Sequence, residues 1–163
     1  MTTFPDSEAD ARRLLCDEML VGLARWLRAA GHDATTPVRG EPDQRLIARA
    51  AAQDRLFLTR DRPILKHRAA AGLVVVLESD DLDRQAVELR DRLCLDWLAA
   101  PFSRCLVCNV PVAEAGPEDV TRIPEQARQL PGPFRVCPEC DRVYWPGSHE
   151  RRMRARLEGW ATL

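Results

Sequence analysis

No stretch of this sequence holds the roughly 20 consecutive apolar residues that span a bilayer as a helix, so no membrane-embedded role is expected. The opening residues, Met1–Asp10, are acidic and polar. They lack the basic start and apolar middle of a secretory leader, which points to the cytoplasm. Net charge is almost absent, at −1, and so gives no bulk attraction to a polyanion. Lysine is nearly missing too: Lys66 is the only one among 24 basic residues, a skew read as compositional bias rather than function. There is no internal repeat and no low-complexity tract. What remains is a globular balance, 45% hydrophobic and 30% charged over 163 residues, enough for one domain with a small appendage.

Charge is uneven along the chain even though it cancels overall. Between Arg45 and Arg68 there are seven basic residues against Asp54 and Asp61, and Arg151, Arg152, Arg154 and Arg156 cluster near the end. Such clusters bind phosphates or serve as solvated helix faces.

The hydrophobic pattern alternates between strands and helices. Arg13–Cys16 is a short apolar run that ends at Asp17, the first expected strand. From Met19 to Ala30 the apolar residues recur at helical spacing, with Arg25 and Arg28 on the other side and Gly31 as the stop. Ala34–Val38 reads as a second strand, placed at an edge by Pro37. A helix is expected from Asp43, whose carboxylate would cap it. Leu56–Thr59 is the third strand, and a short helix follows over Pro63–Ala71. Leu73–Leu77 reads as a strand buried on both faces, and the next helix as Leu82–Trp97, capped by Asp80 or Asp81. This alternation predicts an α/β fold, a parallel sheet flanked by helices. Pro101 and Phe102 mark its end, which divides the chain into a tail at 1–10, an α/β domain at 11–100 and a cysteine-bearing unit at 101–163. Gly116–Pro133, with four prolines, is expected to be a long loop.

Six cysteines in a reducing compartment are not expected to form disulfides. Cys16 and Cys94 stand alone in apolar stretches and read as buried small hydrophobes. The other four form two C-x-x-C pairs, Cys105 with Cys108 and Cys137 with Cys140, separated by 28 residues. Two such turns complete a tetrahedral thiolate shell for Zn²⁺ with no position left for substrate, so a structural zinc ribbon is predicted. A redox dithiol needs one pair, not two.

Three aspartates fall where an open parallel sheet gathers its ligands, beyond the carboxyl ends of strands. Asp17 follows the first strand, Asp61 the third, and Asp43 opens the helix leading into the third. Converging carboxylates need a cation, and hard oxygen ligands suit Mg²⁺ or Mn²⁺. Taken singly, Asp43 also reads as a helix cap and Asp61 as a turn residue.

The segments 17–28, beginning Asp17-Glu18-Met19-Leu20 and ending Trp26-Leu27-Arg28, then Leu58–Arg62, and finally Cys137–His149 together resemble the PIN-like ribonuclease family of the mut-seven exonuclease C-terminus. The resemblance runs from about Leu14 to Met153. It implies a PIN-like sheet joined to a zinc ribbon, and a divalent-metal-dependent endoribonuclease. Asp17, Asp43 and Asp61 then match the family's acids and hold Mg²⁺ or Mn²⁺ for catalysis. A fourth acid has no clear match, and Glu18, Glu41 and Asp80 are its candidates. Arg25 and Arg28 fall in the matched signature and are expected at phosphate, together with Arg60. His149 is assigned to RNA contact, as a general acid, a phosphate contact or a cap. Trp26 and Trp145 read as packing residues, and His32 and His67 as surface residues. RNA is the expected partner, with a regulatory protein partner open. The competing reading is a non-catalytic RNA-binding or adaptor module whose acids are vestigial.

Overall fold

The computed structural model describes residues 12–163, so the expected tail at 1–10 lies outside the described residues. Four parallel strands form the central sheet: β1 (Arg13–Cys16), β2 (Asp33–Thr35), β3 (Leu56–Thr59) and β4 (Val74–Val76), in the order β2-β1-β3-β4. Successive side chains of a strand point to opposite faces, and the core divides accordingly. Leu14, Cys16 and Leu58 join one cluster, and Leu15 and Phe57 join the other.

Against the first face pack α1 (Val21–Ala29), through Leu23, Ala24 and Leu27, and α3 (Leu82–Leu93), through Ala86 and Leu89. Against the second packs α2 (Asp43–Ala52), through Leu46, Ile47 and Ala50, with Ile64 and Ala70 from the 3-10 turns Arg62–Lys66 and Arg68–Ala70. The predicted α/β layering is therefore present. Gly31 ends α1 as expected, for two reasons. Its φ is +100°, and a Cβ there would lie 2.4 Å from the Ala100 carbonyl oxygen.

After α3 the chain returns over the end of α1, where the amides of Ala100 and Phe102 donate to the carbonyls of Ala30 and Ala29. A small antiparallel sheet follows: β5 (Ala113–Glu114), β6 (Arg135–Val136) and β7 (Val143–Tyr144). The proline-rich connection between β5 and β6 is not a bare loop. It forms two short helical turns, α4 (Pro117–Val120) and α5 (Glu125–Arg128). The chain closes with α6 (Ser148–Thr162), whose Met153, Leu157 and Trp160 enter the same core as α1 and α3. Trp160 meets Trp26 edge-on at 4.9 Å and Trp97 at 4.8 Å. None of the described helices is long and apolar enough to cross a membrane.

Several sequence expectations are corrected. The valine strand β4 packs Val75 toward one core cluster and Val74 and Val76 toward the other, yet it is not fully buried. It lies at a sheet edge, and its three residues are half-buried. Asp43 does not cap α2: Pro42 holds the N-cap position, Asp43 is the first helical residue, and no side chain caps the helix. The helix expected to reach Trp97 stops at Leu93, where Cys94 takes a left-handed conformation and is exposed. Cys16 is buried as expected, and burial pushes its thiol up to about 12. His32 is not a surface residue but fully buried between strand and loop. Its Nδ1 lies 3.0 Å from the Arg12 amide and its Nε2 lies 2.8 Å from the Asp96 carbonyl.

Candidate active site and metal centre

The strand order places a topological switch between β1 and β3: the chain leaves β1 for β2 on one side and later returns to β3 on the other. In an open parallel sheet a crevice forms there, at the carboxyl ends of the strands. Asp17 is the residue after β1, and Asp61 lies two residues after β3. One side chain links them. The buried Thr59 donates its hydroxyl to Asp17 Oδ2 at 2.6 Å and accepts from the Asp61 amide at 3.0 Å. Asp17 Oδ1 accepts from the Glu18 amide at 2.7 Å, so the carboxylate is oriented by two donors. Thr59 was not among the sequence candidates, although its place at the end of a strand beside Asp61 was the signal for it.

Asp43 is exposed at the first position of α2. Of the fourth-acid candidates, Glu18 accepts from the Gly40 amide at 2.9 Å, and Glu41 accepts from the Val38 amide and lies 3.3 Å from Arg49. Both therefore brace the loop before α2. Asp80 is exposed beyond β4, and its neighbour Asp81 caps α3 through the Arg84 amide. Asp17, Asp43 and Asp61 are in no salt bridge among the described residues. They also do not close into a ligand cluster. Among the described residues the group of acid, histidine or cysteine side chains near enough to share an ion is that of the four cysteines.

The expected phosphate contacts separate into two kinds. Arg25 and Arg60 are exposed, and so is His149. Arg28, by contrast, is only 8% exposed and turned inward. Its Nε donates to the Ala34 carbonyl at 2.7 Å, and Nη1 donates to the carbonyls of Leu106 and Val107 at 3.0 and 2.9 Å. Burial lowers its pKa, while the neighbouring thiols and Asp33 oppose that shift. Its Nε and Nη1 donors are committed to the protein's own backbone. Arg55, from the basic run, is likewise buried and makes a two-pronged pair with Asp33 at 2.8 and 2.9 Å.

Cys105, Cys108, Cys137 and Cys140 converge as their spacing predicts, with all four sulfur atoms within 4.8 Å of one another. Cys105 Sγ and Cys140 Sγ are 3.8 Å apart. A tetrahedron with Zn–S near 2.3 Å has edges of about 3.8 Å, so the donor set fits zinc. Burial opposes ionisation of Cys105. Together the amides of Cys108 and Val107, the Tyr144 hydroxyl and the Cys137 thiol outweigh it and bring the thiol down to about 6, toward the thiolate a metal needs. Tyr144 Oη lies 3.1 Å from Cys105 Sγ and accepts from the Leu106 amide at 3.1 Å.

The first cysteine turn is fastened to the α/β sheet. Arg28 grips its two central carbonyls. Asn109, left-handed at φ 67°, accepts from the Ala34 amide at 3.0 Å and donates to Asp33 Oδ1 at 2.6 Å.

Residues 12–157 match the profile of the Mut7-C RNAse domain family. The human exonuclease mut-7 homolog is 37% identical over 109 residues, which cover 64% of this chain and 12% of that protein. The chain thus corresponds to a small part of that relative's length. No solved structure matches the chain.

Proposed function

The chain belongs to the Mut7-C RNAse domain family, and from that premise we propose that it is a divalent-metal-dependent ribonuclease whose reaction takes place at the β1/β3 switch point. The observation that carries this reading is the pairing of Asp17 and Asp61 through Thr59 at the carboxyl end of the sheet. The donor set suits a hard cation. Asp17 keeps free lone pairs on both oxygens, and no arginine or lysine among the described residues neutralises Asp17, Asp43 or Asp61. These three carboxylates would hold Mg²⁺ or Mn²⁺. When bound, such an ion supplies Lewis acidity and charge neutralisation toward a phosphodiester.

The chain's own residues do the rest. Thr59 and the Glu18 amide hold the Asp17 carboxylate in one orientation. Arg60, exposed between Thr59 and Asp61, offers a cation to the substrate backbone. The four cysteines hold a structural zinc, which leaves no position open for substrate. A thiolate site of this kind is at home in a reducing compartment, which supports the cytoplasm.

The test is cleavage of labelled single-stranded RNA with Mn²⁺ or Mg²⁺. Wild-type protein should cleave, and Asp17→Asn and Asp61→Asn should reduce the rate by orders of magnitude without shifting the melting temperature downward. Undiminished cleavage by both variants would sink the proposal. A second reading is an RNA-binding module without turnover, in which Asp43, exposed at the first position of α2, and the other two acids are vestigial. It predicts metal-independent binding with no product.

A further inference from the structure

A cleft of about 380 Å³ lies between α1, the cysteine ribbon and the first turn of α6, away from the acids. We propose that it holds one unstacked nucleotide of a single-stranded RNA, with the base on its apolar floor and the flanking phosphate on Arg25 and Arg142. The inference rests on the ribonuclease reading above and adds a binding subsite to it.

The floor is apolar, with Leu106 and Met153 at its base and Trp145 on one wall. Two arginines from different elements, Arg25 on α1 and Arg142 between the last cysteine and β7, stand at its edge. Both are exposed, and neither meets a carboxylate among the described residues. The acid in the lining, Glu150, is held by Arg154 at 3.1 Å. The cleft therefore presents cationic groups around an apolar interior, the complement of a base attached to phosphate.

Trp145 supplies an independent observation. The indole N–H groups of Trp97 and Trp160 donate to the Ala86 carbonyl at 3.0 Å and to Asp83 at 2.7 Å. The half-buried Trp145 indole has no acceptor among the described residues, and its Nε1 edge lies close against Gly147, where a Cβ would come within 2.7 Å, so the ring is held in place in the cleft lining. Above it α6 begins without a side-chain cap. A base face and a base edge are both exposed only in unpaired RNA, so the occupant is single-stranded. Arg25 follows Asp17 by eight residues. The 3-10 turn Glu18–Leu20 joins Asp17 to α1, and Arg25 lies about one turn into that helix, so the acid and the cleft arginine belong to one continuous segment.

The experiment measures binding, not cleavage. Asp17→Asn protein, with its zinc retained and no Mg²⁺ or Mn²⁺ added, is titrated into a fluorescently labelled single-stranded RNA decamer and into a duplex of the same sequence. Arg25→Ala with Arg142→Ala should weaken single-strand binding by at least about tenfold and leave duplex binding within about twofold. Replacing single nucleotides by abasic ones should reveal one position whose loss weakens binding to a similar degree. Unchanged single-strand affinity in the double variant, or an equal loss for duplex and single strand, would overturn the subsite. Failure of the ribonuclease reading would show elsewhere, as absence of cleavage by wild type.

Discussion

Thr59 and Asp17 share a hydrogen bond of 2.6 Å across the two central strands, and Thr59 is fully buried while it makes it. The same oxygen receives the Asp61 amide, so one hydroxyl sets the orientation of one acid and the backbone of the other. Thr59→Val keeps the shape and removes both bonds. The Asp61 amide loses its partner, at a cost of about 1–3 kcal/mol. If the acids are catalytic, a group that orients them contributes about 10–100-fold. The expected outcome is a modest drop in melting temperature with a much larger drop in cleavage rate, and recovery of both in Thr59→Ser. A Thr59→Val enzyme at full rate would separate this bond from the chemistry.

The alternation of strands and helices was legible because buried strands are short apolar runs and α1 and α2 are amphipathic. Thus β1 and β3 have the expected bounds. The four cysteines were legible because ligand spacing is local. What could not be read was which polar residues the fold turns inward. Arg28 and His32 have no local signature of burial; loops from residues 96–107 cover them. The docking of α6 has a signal, Met153, Leu157 and Trp160 at helical spacing, but the four arginines interleaved with them give the same segment the pattern of a charged, solvated face. The edge position of β4 depends on strand order, which composition does not encode.

Arg28 and Arg25 lie on the same helix with opposite commitments, which makes them a matched test. Arg28 bonds three carbonyls from β2 and the first cysteine turn. Charge-assisted bonds of this kind are worth about 1.5–3 kcal/mol each. Arg28→Met should therefore destabilise the protein by about 3 kcal/mol or more and speed zinc loss to a chelator. Arg28→Lys should not rescue it, since a single ammonium cannot reproduce the guanidinium fork. Arg25→Ala should leave the denaturation midpoint unchanged. Urea unfolding of the two variants side by side reads the difference. A stable Arg28→Met protein with weakened RNA binding would instead return Arg28 to the phosphate-contact role.

The pH dependence of stability should carry a signature of His32. Its Nδ1 accepts from the Arg12 amide and its Nε2 faces the Asp96 carbonyl, an arrangement that requires the neutral ring with its proton on Nε2. Burial lowers the His32 pKa below its ordinary value of 6.5, against the raising influence of the Asp96 carbonyl. The unfolded chain therefore takes up a proton that the folded one refuses. Stability is fully present above about pH 6.5 and falls as pH drops from there through the folded pKa, by at most about 1.4 kcal/mol per pH unit from this one group. Denaturation midpoints between pH 8 and 5 should show that loss, and a His32→Gln variant, less stable at pH 8, should show a shallower slope over the same window. Parallel slopes in the two proteins would assign the pH dependence to other groups.

Tyr144 connects the four-cysteine cluster to the fold through a single hydroxyl, which lies 3.1 Å from Cys105 Sγ and accepts from the Leu106 amide. A donor to a metal-bound thiolate fixes the ligand and relieves its charge, and removing such a partner typically costs 10–100-fold in metal affinity. Tyr144→Phe removes only the oxygen and keeps the ring packed against the core beside Leu106. With zinc in place the variant should fold normally, because the four thiolates still complete the shell. In competition with a chromophoric chelator it should release zinc at about 10–100-fold lower chelator concentration than wild type. Cys137→Ser, which deletes a ligand, should go further and fail to retain stoichiometric zinc at all. If Tyr144→Phe holds zinc as tightly as wild type, the hydroxyl serves the Leu106 amide alone, and the variant should then lose only the roughly 1 kcal/mol of that one hydrogen bond.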